Sequence, residues 1–427
     1  MRYSWRRPLA VLVCAAVLPL LSGCWDRIEL EQLAFITVMG LDQGPHGQLL
    51  VTFKIARPAG VAAGNPMAAG GGGGGASTKS TITTTVVAPN IQSAETVASS
   101  YVGRRLTLVQ NAAVLFGLPL AKKGLVPYLD ALVRLRESRR TQLMLICSPS
   151  AQAVIDASHP PLETNPTAFL ANIRELRQTA GWVPHLSLQS FVSGLESTSA
   201  DPVAGFNALQ PGSGSKGTPS ATLPGLQPPL HATGNRLPRT GNGPTNVFGA
   251  VAFRGGKAVG VLSGQQTVVL NMLRGDYRRS VLTIPDPLVA GATDNLLLTS
   301  NRHPTVQVNT RHRVPSIRVM VPLEGSLGTE QSTAAYALRH GRAHILERAA
   351  DHLLQGQALD LIHTAQRSWR ADIFGFGQAA RRNFATDAAL RAYDWADAFP
   401  QAAVRVRFHV TIVHFGPLLG PPVKARA

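Results

Sequence analysis

Apolar residues recur along this chain in short blocks whose spacing switches between alternating and helical. Ala34–Leu41 is an apolar, β-rich run ending at Gly40-Leu41-Asp42, and Gln43–Gly47 sets Gly, Pro and His in turn positions. In Gln48–Ala56, Leu50, Thr52 and Lys54 alternate with Val51, Phe53 and Ile55, which predicts the returning strand. Thr81–Val87 then reads as a strand, Asn90–Arg105 as a helix and Leu106–Phe116 as a strand. Leu125–Leu135 reads as a helix, Thr141–Cys147 as a strand, and Ala151–Ala157 and Pro166–Thr179 as helices, ahead of Ser187–Leu195. This alternation predicts a mixed α/β (α+β) domain over residues 24–196.

Two stretches lose the pattern. Residues 57–80 contain six consecutive glycines, Gly70–Gly75, and read as a flexible loop inserted between strands. The run lacks the Gly-Lys-Ser/Thr ending and the strand-to-helix context of a phosphate loop. Residues 197–246 collapse into Gly, Pro, Ser and Asn and read as a linker or disordered insertion. Order resumes at Val247, where Val247–Phe253 and Ala258–Leu262 flank Arg254-Gly255-Gly256-Lys257, a hairpin signal. Thr267–Leu273 looks helical and Ser280–Ile284 returns as a strand, so 247–290 reads as a small middle domain. The C-terminal domain, 291–427, contains strands at Thr305–Val308, Ser316–Leu323 and Val404–Val413. Between them a long helix is expected from about Thr329 to Leu354, capped by Thr329 and Glu330, with Leu338, Ile345, Ala349 and Leu353 on one face.

The first residues have a different character. Arg2, Arg6 and Arg7 precede an apolar run from Leu9 to Leu21 that is too short to span a bilayer. Leu21-Ser22-Gly23-Cys24 follows. Positive head, short apolar segment, small residues and cysteine make a lipoprotein signal: residues 1–23 are removed between Gly23 and Cys24, and the Cys24 thiol takes the diacylglyceryl group. Two acyl chains hold a protein stably on a bilayer where one does not.

Composition narrows the rest. The formal charge of the 427-residue chain is +17, and losing the three leader arginines lowers it to +14. The basic residues are scattered, with no dense runs interleaved with aromatics, so the charge fits proximity to an anionic membrane or wall better than nucleic acid. With Cys14 removed and Cys24 acylated, Cys147 stands alone in Leu143-Met144-Leu145-Ile146-Cys147, which excludes a structural disulfide and predicts a buried strand cysteine.

No catalytic constellation stands out. His340 and His344 are four apart, but Gly341 occupies the place of the acid that a zinc protease helix needs, so a solvated helix face is the better reading and no metal or cofactor is expected. There is no Gly-x-Ser-x-Gly elbow. Asp372-Ile373-Phe374-Gly375-Phe376-Gly377 is more distinctive. Two glycines alternating with two phenylalanines predict a tight turn pinned by buried rings, and Asp372, Phe374, Gly375, Phe376 and Gly377 are also candidates for a partner contact.

Several motifs, in order, resemble the Ger(x)C lipoproteins, the C subunits of nutrient germinant receptors in spore-forming bacteria. They are Gly23-Cys24-Trp25-Asp26-Arg27 with Glu29-Leu30; Gly40-Leu41-Asp42; Gly103-Arg104-Arg105-Leu106; the Arg134–Arg139 segment with Glu137; and Phe248–Phe253. The most specific is Asp372–Gly377, followed by Trp395, Phe399-Pro400 and the strand around Val404–Val410. The chain departs from the family pattern at Leu135, at Asn111 and at Gln265-Gln266, where an acid, a histidine and an acidic stretch are expected. The resemblance implies a three-domain lipoprotein ectodomain with mixed sheets and flanking helices. It would be anchored through Cys24 to the outer face of the spore inner membrane and act, without enzymatic activity, as scaffold or transducer beside integral-membrane A and B subunits. The alternative is a stand-alone, membrane-tethered lipoprotein that binds a solute or wall polymer.

Overall fold

The alternating run that opens the chain forms the first hairpin: β1 (Leu33–Gln43) pairs antiparallel with β2 (Leu49–Ala56), and β3 (Thr81–Ala88) extends it. These elements belong to a computed structural model that describes residues 28–57, 80–158, 166–210, 229–239, 243–312, 314–330, 336 and 342–414. Cys24 and its leader, the Gly70–Gly75 run and His340 lie outside the described residues.

The chain continues through α1 (Ile91–Val102), β4 (Arg105–Thr107), β5 (Ala113–Gly117), α2 (Leu118–Lys123), α3 (Val126–Arg134) and β6 (Leu143–Ser148). Then come α4 (Ala151–Ala157), α5 (Pro166–Thr179), α6 (Leu188–Glu196), β7 (Val203–Leu209), β8 (Thr245–Arg254) and β9 (Lys257–Leu262). The strands form one sheet in the order β3-β2-β1-β5-β6-β7-β8-β9, with β4 also beside β1. β1, β5, β6 and β7 run parallel, and the hairpins at either side run antiparallel. The central strands are buried on both faces, which is why β6 reads as an unbroken apolar run. Cys147 sits in that strand, fully buried, and burial raises its thiol pKa well above the usual value.

Three expectations are corrected here. The helix from Asn90 stops at Val102 because Gly103 takes a left-handed conformation; Asn90 caps its start, its Oδ1 accepting from Ser93 N at 2.9 Å. The run 106–116 is two strands, β4 and β5, both parallel to β1. The span 197–246 is not wholly a linker, since Val203–Leu209 lies between β6 and β8 with Val203, Ala204, Phe206 and Ala208 buried.

The second half contains α7 (Gly264–Arg274), β10 (Arg279–Pro285), β11 (Thr293–Thr299), β12 (Thr305–Asn309), β13 (Ser316–Glu330) and α8 (Arg342–Thr364). It closes with α9 (Phe376–Ala380), α10 (Asp387–Tyr393), α11 (Trp395–Ala398) and β14 (Ala403–His414). The second sheet has the order β10-β11-β13-β12, and β14 runs parallel along the other edge of β13. Residues 247–290 are therefore divided: β8 and β9 complete the large sheet, whereas β10 opens the small one. One apolar core joins Ala250, Ala252 and Leu262 to α7, α8 and the inner face of the small sheet.

The long helix begins later than its sequence suggests. Thr329 and Glu330 still belong to β13, paired with Asn295 and Asp294. The buried face of α8 is Leu346, Ala350, Leu354, Ala358, Leu361 and Ile362, one position on from Ile345, Ala349 and Leu353. Outward-pointing amides at the free edge of β14 are met by this helix: Val410 N donates to Asp351 Oδ1 at 2.8 Å and Ile412 N to Glu347 Oε1 at 2.7 Å. Among the described residues no helix is long and apolar enough to cross a membrane.

Candidate functional site

The Asp372–Gly377 loop follows α8 through a widened turn, Ala365–Trp369, and Arg370, whose φ is 51°. The Asp372 side chain turns back into the loop. Oδ1 accepts from Phe374 N (3.1 Å), Gly375 N (3.0 Å) and Phe376 N (3.3 Å), and Oδ2 from Gly377 N (2.8 Å) and Trp395 Nε1 (2.9 Å). Burial raises the Asp372 pKa, and these donors oppose the rise. Every partner is an N–H, so a carboxyl proton would have no acceptor and the group is held as the carboxylate.

The glycines are required by two different constraints. Gly375 sits at φ 76°, which a side chain rarely tolerates. At Gly377 a Cβ would stand 2.2 Å from Ser199 O and 2.5 Å from Trp395 Nε1. The phenylalanines stack on each other at 5.0 Å and lie against Phe399, itself beside Trp395. Phe374 is 4% exposed and Phe376 1%. The turn pinned by buried rings is therefore present. The rings and the carboxylate are engaged inside the chain, while Gly375 stays partly exposed.

What the loop holds is the large sheet. Asp201, just before β7, donates its N–H to Asp372 O at 2.8 Å and accepts Asp372 N on its Oδ2 at 2.9 Å. Burial, and next the Asp372 charge, push the Asp201 pKa up to about 6. Arg274, at the end of α7, donates to Ile373 O at 3.2 Å, while Gln366 Nε2 donates to Phe399 O and Ala402 O. The loop, the Trp395–Phe399 turn and the start of β7 form one junction between the halves of the molecule. Sequence reasoning singled out the loop but not Asp201, since no local pattern marks a partner 171 residues away.

The other motifs also resolve into structural roles. Asp42, ending Gly40-Leu41-Asp42, caps α4, with Ala151 N and Gln152 N each donating to it at 2.8 Å. Glu137 accepts from Thr107 Oγ1 and Leu108 N, fixing the strand that follows Arg104-Arg105. Asn111 pairs with Gln142 at 2.7 Å. Gln266 completes a capping box with Ser263, and Gln265 bonds Gln357 of α8, so neutral amides serve where acids were expected. His344 pairs with Glu347, and among the described residues no three metal-ligating side chains converge. An open cavity of about 460 Å³ lies beside α5 and α6, lined by Arg174, Arg177, His185 and Ser187 among others. Burial and then the Arg177 charge lower the His185 pKa there.

This is a two-sheet α+β protein whose distinctive residues hold its halves together. The model described as "Spore germination protein N-terminal domain" matches residues 26–206, and that described as "Spore germination B3/ GerAC like, C-terminal" matches 248–416. The chain belongs to the Ger(x)C family of spore germination proteins. It is 24% identical over 416 residues to the putative spore germination protein YfkR of Bacillus subtilis, covering 96% of each chain. It is 29% identical over 197 residues to spore germination protein KC of the same organism, covering 46% of this chain and 47% of that one. The crystal structure of the GerBC protein superposes with a TM-score of 0.51 at 13% identity, covering 88% of this chain and 96% of the other, a likeness of fold.

Proposed function

We propose that the chain is the lipid-anchored C subunit of a nutrient germinant receptor. It sits on the outer face of the spore inner membrane through acylated Cys24 and acts as a non-enzymatic scaffold or transducer beside A and B membrane subunits. The observation that carries this reading is the match of both family models, in order, starting two residues after a Gly23-Cys24 lipoprotein signal. A tethered, mixed-sheet body with its halves locked together is suited to transmitting a partner's movement rather than to turnover. The test is a strain carrying Cys24→Ala. Nutrient-triggered germination is expected to be lost or slowed at least ten-fold, while the variant made in the same spores keeps its fold. An unchanged response would contradict the assignment.

The second reading, a stand-alone binding lipoprotein, draws on the cavity beside Arg174 and His185, which falls in the size range of small-molecule sites. It requires the isolated protein to bind a solute or wall fragment with affinity that Arg174→Ala weakens, and germination to be unaffected.

A further inference from the structure

We propose that the solvent face of the C-terminal sheet binds an anionic phospholipid surface through Arg318, Arg405 and Arg407. Side chains alternate along β13 and β14: Ile317, Val319 and Val321, and Val406, Phe408 and Val410, point into the core. Arg318, Met320, Arg405 and Arg407 therefore share the outer face, and all four are exposed. The parallel register sets Arg318 directly opposite Arg405 and Met320 opposite Arg407, while β12 brings Gln307 beside Arg318 and Thr305 beside Met320. Together they line a shallow, open depression of about 350 Å³.

Like charges directly opposite on a sheet are destabilising. The described ion pairs of the chain lie elsewhere and none involves these three arginines. The acid on the same face, Glu324, pairs with Thr299 and Thr411 further along β13, and its Oε2 accepts from Asn301. The cationic cluster is thus kept at a cost to stability, with no ion-pair partner among the described residues to offset it. Guanidinium groups match phosphodiester oxygens in fork geometry. A protein partner is a poorer fit, since the exposed positions of β12–β14 carry no aromatic anchor of the kind that dominates such interfaces. Met320, 42% exposed among the charges, supplies a flexible apolar chain that can enter between headgroups. Each basic residue near an anionic bilayer strengthens binding about five-fold, so three give about 100-fold. The inference rests on this face and not on acylation of Cys24.

The test floats the mature chain, residues 24–427, carrying Cys24→Ala with vesicles of phosphatidylcholine, alone or with phosphatidylglycerol added, at about 0.1 M salt. Arg318→Gln/Arg405→Gln/Arg407→Gln is expected to lose about 100-fold of the phosphatidylglycerol-dependent affinity. A control removing the same charge elsewhere, Arg104→Gln/Arg136→Gln/Arg139→Gln, is expected to stay within about two-fold, and the three Arg→Lys replacements to keep most of the binding. The Gln variant should melt no lower than the parent because repulsion is relieved; a lower melting temperature would contradict the argument. Equal losses in the two Gln variants, no dependence on phosphatidylglycerol, or displacement from vesicles by inorganic phosphate at constant ionic strength would each overturn the proposal. No receptor partner enters the assay, so its outcome is separate from that of the proposed function.

Discussion

Asp372 concentrates much of the architecture, because one buried carboxylate satisfies four backbone amides and an indole. Asp372→Asn keeps the volume but turns an NH₂ toward N–H donors. It is expected to cost about 3 kcal/mol, read as a lower urea midpoint, with Trp395 fluorescence reporting the loss of its partner. Gly377→Ala pushes a methyl into Ser199 O and should cost at least about 2 kcal/mol. Asp201 has the opposite sign of effect. Its folded pKa, about 6, lies above the ordinary 3.8, so the fold favours the protonated form. That contribution is complete below about pH 3.8 and is lost as pH rises through 6, amounting to about 3 kcal/mol. Asp201→Asn retains an acceptor for Asp372 N. It should therefore be more stable than the parent at neutral pH and remove this slope between pH 4 and 6, measured by denaturant midpoints across the series.

At the scale of elements, β14 is a 12-residue edge strand whose last outward amides are held by Glu347 and Asp351 of α8. Free edges template pairing with other chains. Glu347→Ala/Asp351→Ala should therefore lower stability by about 2 kcal/mol and raise concentration-dependent self-association, followed by light scattering. The legible elements were those whose burial pattern is local. α4 and α5 follow from apolar spacing, and β1, β2 and β14 from alternation and β-branched content. α8 was expected too early because the last residues of β13, Gly325–Glu330, contain Thr, Leu and Glu, which suit a helix start when strand pairing is unknown. β7 was hidden because Val203–Leu209 is a short run, with Ala204, Gly205 and Ala208 between Val203, Phe206 and Leu209, set in a Gly-, Pro- and Ser-rich stretch, and only the neighbouring strands reveal its pairing.

For the whole molecule, the loop and its aromatic setting were visible as a motif, while their purpose was not. The partner that gives them meaning, Asp201, is brought in only by the sheet topology. With one core shared between the large sheet's last strands and the C-terminal elements, unfolding should be a single transition, and Asp372→Asn should split it if the junction carries the coupling. A coupled body of this kind fits a subunit that works within an assembly. The most direct measurement is affinity purification of the protein from spore inner membranes in mild detergent, in parallel with Cys24→Ala. Two multi-spanning proteins are expected to co-purify with the parent and to be depleted with the variant; recovery of the lipidated protein alone would contradict the receptor assignment.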